Sequence, residues 1–194
     1  FNNVNSLEKN INEMTAAIMI ETIQGEGGIR PVPLSFLNKI KNICIKNDLL
    51  LFLDEVQSGF GRSGKLFSYQ WSDIKPDIMA VAKGIGSGFP MGACLSTNKA
   101  SIGMIKGAHG STFGGNPMAI AVGTAVINEI MNKGFLERVD KVSRYLWNEL
   151  LLLKKDFDEI IEVRGAGLLL GIKTKSSNTE INKLFETHGL LTIL

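Results

Sequence analysis

The sequence predicts an α/β protein: a mostly parallel sheet flanked by helices, followed by the start of a smaller α+β portion. Three observations carry this. Residues 49–53 and 78–82 are uninterrupted apolar runs, LLLFL and IMAVA, which read as buried strands. Residues 16–20, 33–47 and 49–53 read as strand, amphipathic helix and strand, a βαβ unit that implies parallel neighbours and a right-handed crossover. From about residue 136 the pattern changes character, so 1–135 and 136–194 are assigned to a larger and a smaller portion, the second truncated.

In chain order, 6–14 reads as a short polar helix and 16–20 as a buried strand ending on Glu21. Thr22 to Gly28 is a loop, punctuated by Pro31 and Pro33. Leu34, Leu37, Ile40, Lys41 and Cys44 recur at helical spacing and predict a helix over 33–47. Gly59, Gly61 and Gly64 make 56–66 a loop, and 67–73 a helical turn carrying Trp71. The strand at 78–82 ends on Lys83, and 91–96 reads as another strand. A short helix is expected at 99–105. Asn116 can cap, and Pro117 can open, a helix over 117–132 so apolar that burial on most sides is expected, with Gly134 as its C-cap. A second amphipathic helix spans 136–154; strands at 160–163 and 168–173 flank an Arg164-Gly165-Ala166-Gly167 turn. Residues 179–188 read as a helix and 190–194 as the start of a strand.

Composition narrows the function. The chain has 194 residues, 44% of them apolar, and a net charge of +2 with both signs spread along it. That excludes nucleic acid or an acidic membrane surface as the main partner. No apolar run is long enough to span a bilayer, and no segment reads as a signal peptide. Cys44 and Cys94 each lie in an apolar run and read as buried free thiols of a reducing compartment, so a cytoplasmic protein is expected. His109 and His188 stand alone, without metal-ligand spacing. The chain starts on Phe1 and stops on Thr192-Ile193-Leu194 inside an apparent strand, which suggests a fragment.

The chemistry concentrates at strand ends. Asp54 and Glu55 follow one buried run, Lys83 another, so a carboxylate and an amine sit at the edge where open α/β sheets bind ligands. Pyridoxal phosphate needs such a pair: a lysine holds it as a Schiff base, and an Asp keeps its pyridine nitrogen protonated. Burial of the lysine would favour its neutral, nucleophilic amine. The plain alternative is that Asp54 is a turn or cap residue and that Lys83 before Gly84 is incidental.

Four motifs in order carry a resemblance: Glu21 to Gly28 (ETIQGEGG), Leu53 to Gly64 (LDEVQSGFGRSG), Ala82-Lys83-Gly84, and Gly110 to Pro117 (GSTFGGNP). They resemble the class III aminotransferases of pyridoxal-phosphate fold type I, and with the neighbouring segments the resemblance covers nearly the whole chain. WSDIKPDIMAVAKGIGSGFPMGACL and HGSTFGGNP are most similar to the acetylornithine-type branch of that family.

The resemblance implies that Lys83 binds the cofactor covalently and shuttles the proton, that Asp54 pairs with the pyridinium nitrogen, and that Gln57 hydrogen-bonds the phenolic oxygen. It implies that Thr112, with Ser111, binds the cofactor phosphate of a neighbouring subunit, hence a homodimer with shared active sites. Glu21 would lie near the cofactor, and Glu26 would act as a gate paired with a substrate-binding arginine. The implied reaction moves the δ-amino group of N-acetylornithine to 2-oxoglutarate by a ping-pong route. Ornithine, 4-aminobutyrate and succinylated diamines are alternative donors. A non-catalytic pyridoxal-phosphate-fold module is a further alternative, and the piece by itself is expected to be inactive.

Other residues have plainer readings. Glu55 is a strand-end charge or a supporting hydrogen bond, Arg62 a loop salt bridge, and His109 structural. Arg164 reads as a turn residue. Where the family commonly has proline, this chain has Thr22, a change expected to alter loop stiffness more than chemistry. The family's N-terminal phosphate loop and its later substrate arginine have no counterpart in the sequence.

Overall fold

The structure is a computed structural model that describes residues 1–193. Asn3 caps α1, Val4–Lys9, by accepting from the Ser6 N–H at 2.9 Å. This helix is shorter and earlier than the expected 6–14, because Asn10 closes it. Strand β1 is Ala17–Glu21, and β2, Ile23–Gln24, pairs antiparallel with β3, Arg30–Pro31. Helix α2, Leu34–Lys46, turns Leu37, Ile40, Ile43 and Cys44 inward, as its periodicity requires. It leads to β4, Leu50–Asp54, which pairs in parallel with β1.

Strand β5, Ile78–Val81, pairs in parallel with β4, and β6, Ala93–Ser96, closes the sheet antiparallel to β5. The order β1-β4-β5-β6 leaves β1 and β6 as edges. One core, with Ile18, Leu37, Ile40, Leu51, Leu53 and Ile74, lies between this sheet and α2. A smaller cluster of Met79, Val81 and Ile85 packs against Phe60, Phe67 and Met91.

Helix α3, Pro117–Met131, starts at the Asn116 cap as expected, but it is not buried on most sides. Only Ala119, Gly123 and Ile130 are buried, while Met118, Ile120, Ile127 and Met131 are exposed. Apolar composition sets which face prefers to leave water, not whether another element covers it. Gly134 caps the start of α4, Phe135–Asp156, rather than the end of α3. Its φ of 90° turns the chain between two helices that nearly touch end to end, so one glycine signal suited either role.

Strands β7, Ile160–Ala166, and β8, Leu169–Thr174, form an antiparallel hairpin, with Arg164 inside β7 rather than in the turn. The hairpin is seated on the glycine-rich loop, where the Leu168 N–H donates to the Arg62 carbonyl at 2.8 Å. Helix α5, Asn178–Thr187, follows a Ser177 cap. Residues 99–105 form turns and not a helix, and 190–193 form no strand; Leu194 lies outside the described residues. Cys44 is buried but Cys94 is exposed, since β6 is an edge strand with every residue open to solvent. No helix among the described residues is long and apolar enough to cross a membrane.

Candidate active site

Parallel register builds the site. Glu21 is the Cα partner of Asp54, and Asp54 of Ala80. The C-terminal ends of β1, β4 and β5 therefore lie side by side at one sheet edge, with Lys83 just beyond the end of β5. Lys83 opens a short 3-10 turn, Lys83–Ile85, and its φ is +46°, in the left-handed region. That conformation costs a non-glycine residue roughly 1–2 kcal/mol and persists where the surroundings hold it. Ile85, buried beside Val81, anchors the turn. Gly84 passes so close to Phe60 that a Cβ on it would come within 2.8 Å of the Phe60 Cβ.

Lys83 is exposed, not buried as the sequence reading supposed. It lines a cleft of about 1060 Å³ together with Glu26, Gln57, Arg62 and Arg164. A second cleft, about 860 Å³, shares Lys83, Phe60 and Arg62 and runs toward α3. Asp54 is half-buried one strand away. Its Oδ1 accepts from the Val56 N–H at 2.9 Å, and Oδ2 has no hydrogen-bond partner among the described residues. The Glu21 carboxylate accepts from the Gly25 N–H at 3.0 Å and so closes its own loop.

Gln57 bridges the two loops. Its Nε2 donates to Glu26 Oε1 at 3.3 Å, while its Oε1 is buried without a partner among the described residues. Thus Glu26, expected opposite an arginine, holds a glutamine amide. Ser111 and Thr112 are exposed and line neither cleft. The Ser111 Oγ accepts only from the Gly114 N–H, at 2.9 Å. The fold does not bring these two residues to Lys83 within one chain.

Arg62 makes no ion pair among the described residues, contrary to the expected loop salt bridge; it lines both clefts instead. Arg164 pairs with Glu162 at 3.2 Å and packs against Gly28, so it joins the hairpin to the loop after β1. His109 is exposed and makes no hydrogen bond among the described residues, so the structural part expected of it is not seen.

Of the two readings of Glu55 the supporting hydrogen bond holds, while Thr22, expected to alter loop stiffness more than chemistry, is buried and hydrogen-bonded. Glu55 is 0% exposed and its carboxylate accepts from Ser58 Oγ, Ser68 Oγ and the N–H groups of Ser68 and Tyr69. Thr22 is 4% exposed, and its hydroxyl pairs with that of Ser68. The signal was present as parity. Leu51 and Leu53 face the core, and a period of two carries Glu55 onto the same face and Asp54 onto the other.

The site thus combines a strained, open lysine with carboxylates on neighbouring parallel strands, at the edge where this fold class takes its ligands. Residues 1–194 match the Aminotransferase class-III family, and the chain belongs to it. It is 49% identical over 194 residues to the acetylornithine aminotransferase of Mesorhizobium japonicum, covering all of this chain and 49% of that protein. It is likewise 49% identical over 192 residues to the acetylornithine aminotransferase of Agrobacterium fabrum, covering 98% of this chain and 48% of the relative. Among solved structures, ornithine δ-aminotransferase of Plasmodium falciparum superposes with a TM-score of 0.93 at 32% identity, covering 100% of this chain and 51% of that one. N-acetylornithine aminotransferase of Stenotrophomonas maltophilia does so with a TM-score of 0.87 at 34% identity, covering 100% and 52%. The chain spans about half the length of the curated relatives it matches.

Class III aminotransferases work with pyridoxal 5′-phosphate, and the residues present suit that group. The Gln57 amide Nε2, the Asp54 Oδ2, without a partner among the described residues, and the open Lys83 amine offer a donor, a carboxylate and a nucleophile on adjoining loops. A Cβ on Gly25 would overlap the Gln57 amide, so the loop after β1 is shaped around that side chain.

Proposed function

We propose that the protein is a pyridoxal-phosphate-dependent aminotransferase that takes the δ-amino group of N-acetylornithine and passes it to 2-oxoglutarate. The observation that carries this is the convergence of Lys83 with Glu26 and Gln57 on one cleft, at the sheet edge where Asp54 ends its strand. The names of the relatives support the donor.

When bound, pyridoxal phosphate supplies an electron-withdrawing ring that makes the donor carbon beside the nitrogen acidic. Lys83 Nζ would hold the group and, once the donor amine has displaced it, its freed amine would carry a proton from that carbon to the neighbouring position. Asp54 holds a proton at the ring nitrogen. Gln57 would hydrogen-bond the phenolic oxygen through its amide Nε2, its Oε1 being packed against Gly25. Arg30, Arg62 and Lys173 line the same cleft with Glu26 as its one acid among the described residues, Arg164 being paired with Glu162, a balance that favours an anionic, dicarboxylate acceptor. Glu26 lines the cleft on the substrate side and would act as the gate there, while Glu21 shapes the loop that carries it. Ser111 and Thr112, exposed and away from Lys83, serve the phosphate site of a second protomer, which makes the enzyme a homodimer with shared sites.

Residues 1–135 form part of the cofactor-binding domain and 136–194 part of a smaller one that has its own two-stranded sheet. The free thiols of Cys44 and Cys94 suit a cytoplasmic enzyme. The ornithine δ-aminotransferase neighbour, at TM-score 0.93, keeps ornithine as the second donor to test.

Borohydride reduction of the full-length protein, followed by peptide mapping, is expected to give a stable cofactor adduct on Lys83. Donor assays are expected to show exchange with N-acetylornithine above ornithine. An unmodified Lys83 sinks the cofactor reading; an adduct without N-acetylornithine exchange sinks only the donor.

A further inference from the structure

Glu55 lies between two residues given to the cofactor, Asp54 and Gln57; of the three only Gln57 lines a cleft, and Glu55 points into the protein. Its carboxylate is fully buried and has no cationic partner among the described residues. Burying a carboxylate is costly unless donors surround it. Four do. Oε2 accepts from Ser58 Oγ at 2.7 Å, Ser68 Oγ at 2.7 Å and the Ser68 N–H at 3.0 Å; Oε1 accepts from the Tyr69 N–H at 2.8 Å.

Counting hydroxyl hydrogens fixes the direction of the chain. A serine hydroxyl has one hydrogen to give. Those of Ser58 and Ser68 both go to Glu55. With Ser68 giving its hydrogen to Glu55 rather than to Ser58 Oγ, 3.0 Å away, it accepts from Thr22, and the chain runs from Thr22 through Ser68 to Glu55.

The consequence is mechanical. Thr22 begins the loop that carries Gly25 and Glu26, and Glu55 begins the turn that carries Gln57. Gln57 is held between these segments, its amide against Gly25 and its Nε2 on Glu26. Both walls of the Gln57 pocket are therefore anchored on one carboxylate.

We infer that Glu55, through Ser58, Ser68 and Thr22, is a positioning residue that holds Gln57 and the end of β4 in register with the cofactor. This rests on the cofactor reading above. Residue 22 is part of the device rather than a neutral exchange for proline, which has no hydroxyl to give.

The test uses full-length protein as wild type, Glu55→Gln, Thr22→Val and Thr22→Ser. For each, the pyridoxal-phosphate dissociation constant of the apo form, the absorbance maximum of the bound cofactor and the apo melting temperature are measured. Glu55→Gln brings an amide N–H₂ among groups that already donate and is expected to weaken cofactor binding about tenfold or more and to shift the band. Thr22→Val is expected to weaken binding by roughly fivefold, the loss of one hydrogen bond, and Thr22→Ser to restore it. Where Glu55→Gln does not fold, the two Thr22 variants decide. Binding and absorbance equal to wild type in folded Glu55→Gln overturn the inference, as does Thr22→Ser binding as weakly as Thr22→Val. A wild type that takes no cofactor on Lys83 overturns the underlying reading as well. A Lys83 adduct with indifferent variants overturns the positioning role alone.

Discussion

The side-chain amide of Gln57 occupies the space that a Cβ on Gly25 would need. Two loops from different strands, one after β1 and one after β4, are therefore fitted to each other through a missing side chain. Gly25→Ala is expected to push Gln57 off Glu26 and cost about 1–3 kcal/mol of stability, the usual range for overpacking. Cofactor affinity should fall with it. Urea unfolding and a cofactor titration of the same variant check both; an alanine that changes neither contradicts the fit.

Leu53 is fully buried between the sheet and α2, on the strand that ends in Asp54. Leu53→Ala is expected to destabilise the protein by about 2–5 kcal/mol through lost burial and a residual cavity. A calorimetric melt should show the loss directly. Leu95, on the open edge strand β6 and 45% exposed, should lose far less on the same change.

The two thiols should react differently. Burial pushes the Cys44 thiol above its ordinary range, with the nearby Lys41 ammonium opposing and Asp77 adding to the rise. Cys94 is exposed. Iodoacetamide on native protein is therefore expected to label Cys94 first and Cys44 only on unfolding. Because folding disfavours the Cys44 thiolate, its contribution to stability is complete below the ordinary thiol range and fades as pH rises beyond it.

Glu159 gives a sign at the acid end. The Ser176 N–H, 2.6 Å from Oε1, holds the Glu159 carboxyl below its usual range, helped by the Ser176 side chain. A carboxyl lowered in the folded state stabilises above the ordinary carboxylate range and loses that effect as pH falls through the folded value. Glu159→Gln is expected to make the acid limb of the stability curve shallower. Melting temperatures across the acid range measure it. The effect is small, since the group is half-buried and still meets solvent.

Much of this was legible in the sequence. Continuous apolar runs at 49–53 and 78–82 gave strands within a residue of β4 and β5, each with one face buried and the other half-buried. The helix around Leu37 and Ile40 followed from its period, and Asn116-Pro117 marked the start of α3. With the strands parallel, the placing of Glu21, Asp54 and Lys83 at one edge follows from chain order alone.

What composition could not carry was context. The apolar face of α3 is open, Cys94 lies on an edge strand, and Gly134 opens a helix instead of closing one. Each depends on which element stands opposite, and that is a property of packing. The sequence by itself determined strands β1, β4 and β5 and the chemistry at their ends, since these follow from local periodicity and chain direction, whereas β2 and β3 lie where it showed only a loop. Only the tertiary structure decided that Lys83 stands open in a left-handed turn, that Gln57 lies over Gly25, and that Glu55 is buried under the Ser68 hydroxyl, itself joined to Thr22. Those are contacts between residues far apart in the chain, and no local pattern encodes which of them will meet.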